Sequence, residues 1–294
     1  MSKSLIAFAI DTKECAVVRL KTLGDKGYSL CGYKTLPFGF GDLASGRGKQ
    51  LLKKLDNHLK EWPEEELALC IRPNSYYPLP ACFPANASSE QYREFCKIEA
   101  RYFLSQPDTY DCDWTNYGND KSWPHENKIL FFYNAEPGRR AAEHFSANHR
   151  VVFSGTPQLP LLHLSKFTKE AQVILELENN YLLLTVSRDG RIEKVSCREA
   201  KNRKELQHFT IQELADNPIC RETEIQLTGT LASKSMIRLI QKESSLTVKP
   251  LCLPPSIPVN NPERFSITSA AAVKAISTAL MALDKQKEST LFSV

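Results

Sequence analysis

The glycine-rich stretch FGFGDLASGRGKQ, Phe38 to Gln50, invites a chemical reading as a cradle for phosphate. In a Walker A loop a glycine is followed by four residues, then Gly-Lys and a hydroxyl residue. Backbone N–H groups wrap the phosphates there, and the hydroxyl reaches magnesium. Counted from Gly41, the sixth and seventh places hold Gly46 and Arg47, and Gly48-Lys49 runs into Gln50, which has no hydroxyl. The expectation is a flexible loop. His58, His125, His144, His149, His163 and His208 share no metal-ligand spacing, and His144 and His149 stand five apart rather than in the zincin pattern. Glu99 could serve as a general acid, but a solvated or helix-pairing role suits an isolated glutamate better. No Ser/His/Asp or Cys/His set can be assembled from the spacing.

Composition narrows the classes. The 294 residues suffice for one large or two ordinary domains, and 42% hydrophobic content is that of a folded chain. With 38 basic and 34 acidic residues the net charge is +4, and the mixed stretch Ala200 to Gln207 is no nucleic-acid footprint. No apolar run approaches the roughly 18 residues of a membrane span. The N-terminal MSKSLIAFAID has one lysine and a short apolar run without a cleavage site, so a cytoplasmic chain is expected. The nine cysteines are scattered with no CxxC pair, which suits buried thiols rather than disulfides or metal ligands. Cys112, between two aspartates, has no second ligand cluster nearby in sequence. Asn86-Ala87-Ser88 fits a glycosylation acceptor, a pattern without force in a cytoplasmic chain.

These residues sit on alternating elements. The N-terminal segment reads as a strand (Leu5 to Ile10), an acidic turn, a strand (Cys15 to Leu20), a glycine turn and a third strand (Tyr28 to Tyr33). The same layout recurs from Ala171 to Arg198, where three apolar runs are split by Glu176–Asn180 and by the hairpin pair Asp189-Gly190. Recurrence of one device points to internal duplication. Between the two meanders, a helix is expected at Gln50–Glu61 and a strand at Leu67–Ile71. Pro73–Pro84, with four prolines, reads as an extended connector. Ser88 and Gln91 have capping-box spacing for a helix to about Leu104. Two strands with a polar hairpin, Gly118 to Asn127, between them come next, then a helix from Ala135, a strand at Val151 and a helix from Pro157. After the second meander come a helix (Lys204–Leu214), a strand ending in Thr228-Gly229-Thr230, a helix (Leu231–Glu243), a strand and a proline-rich connector (Cys252–Glu263). An alanine-rich helix, Ser269–Lys285, closes the chain. Alternating strands and helices argue for α/β layers.

This order resembles that of the actin-like ATPase superfamily, and within it the PilM and GspL proteins of type IV pilus assembly and type II secretion. The resemblance is carried by FCKIEARYFLSQPDTYDCDWTNYG, KILFFYNAEPGRRAAEHFSANHRVVFSGT, IQLTGTLASKSMIRLIQKE and the closing AAAVKAISTAL, and it covers nearly the whole chain. It implies an α/β fold class: a duplicated actin-like (ribonuclease H-like) fold with an extra α+β subdomain in the first half. The outer subdomain of the second half is expected to be reduced or missing, because only Glu199 to Thr223 separates the meander from the next strand. The implied lobes are residues 1–170, with an inserted subdomain at about 73–133, and 171–294.

In the family, as the resemblance implies, two Asp-x-Gly turns hold a nucleotide with magnesium, and a glycine-rich turn meets the adenosine. Here the first turn reads Asp11-Thr12-Lys13 and the second Glu176-Leu177-Glu178, so Lys13 and Glu178 stand at the glycine places. The adenosine turn keeps Gly229 but has Thr230 for a second glycine. Glu178 is expected to face phosphate, and two like charges at about 4 Å repel by roughly 4 kcal/mol at an effective dielectric near 20. ATP and magnesium binding is therefore expected to be lost. The resemblance implies a non-catalytic scaffold, cytoplasmic or peripheral to the inner membrane, that takes the short cytoplasmic tail of an inner-membrane pilus or secretion protein. Oligomers are compatible with this, and nucleic acid is not a partner. Tyr76, Tyr77, Phe83, Tyr92 and Tyr102 are the candidate contacts for that tail. The alternatives are an active ATPase or kinase of the same fold, and a protein that kept the fold for an unrelated interaction.

Overall fold

The computed structural model describes residues 3–24, 27–63, 65–118, 125–257, 259–260, 267 and 269–291. The elements run in order: β1 Ser4–Ile10, β2 Cys15–Thr22, β3 Tyr28–Leu36, α1 Phe40–Ala44, α2 Gly48–Leu59, β4 Glu66–Ile71, β5 Tyr77–Pro84, α3 Ser89–Phe103, β6 Tyr110–Asn116 and β7 His125–Asn134. Then come α4 Glu136–Ser146, β8 Val151–Gly155, α5 Gln158–Leu164, β9 Gln172–Leu177, β10 Tyr181–Arg188 and β11 Arg191–Glu199. The chain ends with α6 Arg203–Ala215, α7 Ile219–Glu222, β12 Ile225–Thr228, α8 Lys234–Ser244, β13 Val248–Pro250, β14 Val259–Asn260 and α9 Ala270–Leu291. They form two compact units. One holds Met1–Pro73, Glu136–Leu164 and Leu253–Val294, the other Asn74–Ala135 and Ser165–Cys252.

The first unit is a six-stranded sheet in the order β14-β3-β2-β1-β4-β8, with β1 antiparallel to β2 and parallel to β4. Alternation along β1 explains its two covers. Ile6, Phe8 and Ile10 pack with Leu52, Leu55 and Leu59 of α2 and with Phe145 of α4, whose ring stacks on Phe8 at 5.4 Å. The intervening Ala7 and Ala9 are small, and α9, with Ala271, Ala272, Ala275 and Ala279 buried, packs on β1, β2 and β4. Small residues let a helix lie close to a sheet, and burial of apolar surface at roughly 25 cal/mol per Å² drives the contact.

The second unit has a five-stranded sheet in the order β11-β10-β9-β12-β13 and a three-stranded sheet β5-β7-β6. In the larger one, β9 is antiparallel to β10 and parallel to β12, the arrangement of β1 with β2 and β4. Its core joins Val173, Leu175 and Leu177 to Leu206 and Leu214 of α6 and Ile240 of α8. The small sheet is covered by α3 through Phe83, Tyr92, Cys96, Ala100, Leu130 and Phe132. The box at the start of α3 is present: Gln91 N–H donates to Ser88 Oγ at 3.2 Å, and Ser88 N–H to Gln91 Oε1 at 2.7 Å.

Four expectations change. Phe38–Gln50 is not a flexible loop, because it contains α1 and the first turn of α2, and Asp42 caps α1 by accepting from Gly39 N–H at 3.0 Å. Pro73–Pro84 contains β5, an edge strand, where a residue without N–H is tolerated on the open side. The connector Cys252–Glu263 includes β14, which pairs with β3. A break at 170/171 does not follow the contacts, since residues after Leu253 pack on the first sheet and residues 74–135 group with β9–β13. The polar hairpin between β6 and β7 falls mostly outside the described residues.

Candidate functional site

In the first unit the turn from β1 to β2 is closed by Asp11 N–H donating to Glu14 O at 2.9 Å. Asp11 is buried, and both its carboxylate oxygens are engaged. Oδ2 accepts from Lys274 Nζ at 2.7 Å and Oδ1 from Thr12 N–H at 2.9 Å. Burial pushes this carboxyl up. The Lys274 ammonium, through its charge and its hydrogen bond, together with the Arg72 guanidinium and the Thr12 N–H, outweighs burial and holds the pKa below the ordinary value. Asp11 O also accepts from Phe40 N–H at 2.8 Å. A side chain on Gly39 would place its Cβ 2.1 Å from Thr12 O, so the glycine permits this loop to lie against the turn. Lys13 is exposed.

In the second unit the turn from β9 to β10 is closed by Glu178 N–H donating to Tyr181 O at 2.9 Å. Glu176 is buried and accepts from Tyr181 OH at 2.6 Å. Glu178, 2% exposed, crosses to the turn after β12. Its Oε1 accepts from Thr230 N–H at 3.0 Å, and its Oε2 accepts from the Thr230 hydroxyl. Gly229, at φ +100°, lies beneath, where a Cβ would stand 2.4 Å from Leu177 O and 2.8 Å from Glu178 Oε1. Leu231 N–H donates to Leu177 O at 3.1 Å and closes the set. The structure thus joins Glu178, Gly229 and Thr230. Glu178 turns inward onto the protein's own donors rather than presenting an open charge.

This geometry does not fit a nucleotide with its metal. A divalent cation needs carboxylate oxygens free to coordinate it, and those of Asp11 are taken by an ammonium and an N–H. A phosphate needs backbone N–H donors, and the Thr230 N–H is given to Glu178. Among the described residues no group of three or more His, Cys, Asp or Glu could hold a metal ion.

Lys274 is the participant that sequence reasoning missed. It stands 263 residues from Asp11, in an otherwise apolar helical run. The trace that could have revealed it is a lone lysine inside AAAVKAISTALMAL, since a buried cation must find an anion.

Three of the five aromatics expected to meet a partner are core residues. Tyr76, 2% exposed, meets Phe131 and Tyr181 edge-on. Phe83 stacks on Phe95 at 5.0 Å, and Tyr92 lies over Trp114 with Lys128 Nζ 5.0 Å from its ring. Their burial makes them packing residues of the small sheet and of β10, which corrects the surface reading. Tyr77 and Tyr102 are exposed, Tyr102 by 80%, and Ile98 and Phe103 of α3 are exposed as well.

No protein-family model matches the chain, and no curated protein does so by sequence. Solved structures do. A chain of a PilM–PilN type IV pilus biogenesis complex superposes with a TM-score of 0.69 at 13% identity, over 96% of this chain and 98% of that one. A Bacteroides thetaiotaomicron protein with an actin-like ATPase fold and unknown function gives 0.50 at 11% identity, over 84% and 90%. The cytoplasmic domain of EpsL, an inner-membrane component of the type II secretion system of Vibrio cholerae, gives 0.47 at 9% identity. With both sheets repeating one strand order and nearly full-length superposition, this chain has the actin-like ATPase fold.

Proposed function

We propose that the chain is a non-catalytic scaffold on an actin-like fold, which docks an inner-membrane component of a pilus or secretion assembly and no longer uses a nucleotide. The observation that carries this reading is Glu178. Its carboxylate takes both the N–H and the hydroxyl of Thr230, so an incoming phosphate would meet a negative charge and no free donor there. Asp11 supports it from the first unit, since its negative charge is matched by Lys274.

The partner reading draws on the similar chain in the PilM–PilN complex and on the apolar outer side of α3, Ile98, Tyr102 and Phe103. Exposed aromatics beside an aliphatic side chain are favourable anchors for a short peptide. No helix among the described residues is long and apolar enough to cross a membrane, so attachment to one would come through the partner.

Calorimetry of the purified chain with Mg-ATP tests the first half of the proposal. No saturable heat is expected, and binding at micromolar affinity, about −8 kcal/mol, would sink it. The second half is tested with a gene neighbour encoding a single-span protein. Its N-terminal tail peptide should bind, and Tyr102→Ala should weaken binding roughly tenfold. Absence of such a neighbour, or a tail that ignores the substitution, removes the docking reading.

A further inference from the structure

The outer side of α2 carries a dense run of basic residues. From Arg47 to Glu61 there are five basic residues (Arg47, Lys49, Lys53, Lys54, Lys60) against two acids (Asp56, Glu61), a net +3 within a chain of +4. Both acids are engaged by groups outside the five cations. Asp56 accepts from His144 Nε2 at 2.7 Å, and Glu61 pairs with Lys34 at 3.0 Å. The five cations have no ion pair among the described residues. With 3.6 residues per turn, Lys49, Lys53 and Lys60 fall on one stripe that flanks the face of the buried Leu52, Leu55 and Leu59.

This stripe borders a groove of about 670 Å³ between α2 and the turn from α4 to β8, lined by Lys53, Asn57, Lys60, Asn148 and His149 together with Leu59, Pro63 and Asp56, the last held by His144. Apart from Asp56, its polar side chains can donate. Lys60 Nζ donates to Asn57 Oδ1 at 2.9 Å, which leaves the Asn57 amide N–H₂ to face outward. His149 Nδ1–H donates to Glu65 O at 3.0 Å, which fixes the ring.

We propose that this groove is a docking surface for an acidic, extended segment of a partner protein. Lys49 to Lys60 spans about 16 Å of helix, the reach of about five extended residues, so acidic side chains about two and then about three residues apart in such a segment can meet Lys49, Lys53 and Lys60 in turn. A membrane surface is the poorer match. The surface is concave, and the large exposed apolar side chains, Leu23, Tyr77, Ile98, Tyr102 and Phe103, all lie elsewhere, so nothing here would insert among lipids. The surface is independent of the tail contact read on α3, and either can fail without the other.

The test is fluorescence anisotropy of a labelled hexaglutamate peptide titrated with the full chain at low salt. Saturable binding is expected, weakened at least tenfold by the double substitution Lys53→Glu/Lys60→Glu and falling as salt rises. Circular dichroism of the variant should match the parent, because both side chains are exposed. Tyr102→Ala should leave this binding unchanged. The proposal is overturned if hexaglutamate does not bind up to millimolar concentration, or if the double variant binds as well as the parent. It also fails if phosphatidylglycerol vesicles or a DNA oligonucleotide bind more tightly than the peptide.

Discussion

Glu178 and Lys274 each do with a side chain what a bound ion could do elsewhere, and each should be costly to remove. In Glu178→Ala, the half-buried Thr230 N–H and hydroxyl lose their acceptor, a loss of about 1 kcal/mol per group. Urea denaturation should show it as a lower midpoint with an unchanged slope, and acetate or phosphate in the buffer should restore part of it. Lys274→Met leaves the buried Asp11 carboxylate without its ammonium and should cost about 3–5 kcal/mol at neutral pH. The pH dependence follows from the lowered pKa of Asp11. In the parent, the pair's contribution is complete above the ordinary carboxylate pKa and is lost as pH falls through the lowered folded value. In Lys274→Met the sign reverses. Burial then dominates, so the variant's deficit shrinks as acid neutralises Asp11, and melting curves between pH 7 and pH 4 should converge. Of this arrangement, the sequence exposes the acids and the glycine of the turns. It does not expose the lysine, because a contact across 263 residues leaves no local pattern.

Among the elements, legibility tracks locality. The two meanders follow from short apolar runs split by turn residues, and α3 from a capping box whose partners are three residues apart. Ser88→Ala should cost about 1 kcal/mol and fray the start of α3, visible as lost helical ellipticity and a lower melting midpoint. β5 is harder to see, because proline propensities argue against a strand and only its place at a sheet edge overrides them. That edge also presents Cys82 to solvent. Burial pushes the Cys220 thiol up to about 11, and burial with the neighbouring Glu176 and Glu199 pushes Cys197 up to about 12. Iodoacetamide at pH 8 should therefore modify Cys82 well before Cys197 or Cys220, as peptide mass spectrometry would resolve. The short α1 and the basic stripe of α2 escape a linear reading for opposite reasons. One hides among glycines that permit a close approach, the other among spacings that become a surface only when wound into a helix.

At the scale of the molecule, the strand orders β3-β2-β1-β4-β8 and β11-β10-β9-β12-β13 repeat, so duplication of one unit accounts for most of the architecture. The departures from it are the small sheet with α3 and the helix α9, which packs on the N-terminal strands rather than on β9 to β13. The small sheet also limits how a peptide can be received. In β5, Pro78, Pro80 and Pro84 all have the same parity, and proline has no N–H to give. In a strand paired with β7 on one side, residues of that parity aim their backbone nitrogens at the other side. Of that parity only Cys82 keeps an N–H, so the free border of β5 is poor in donors. A tail in extended form gains few backbone bonds along it, and the same border is a poor template for growth of a larger sheet between molecules. A peptide received on this side of the protein must be read mainly by its side chains.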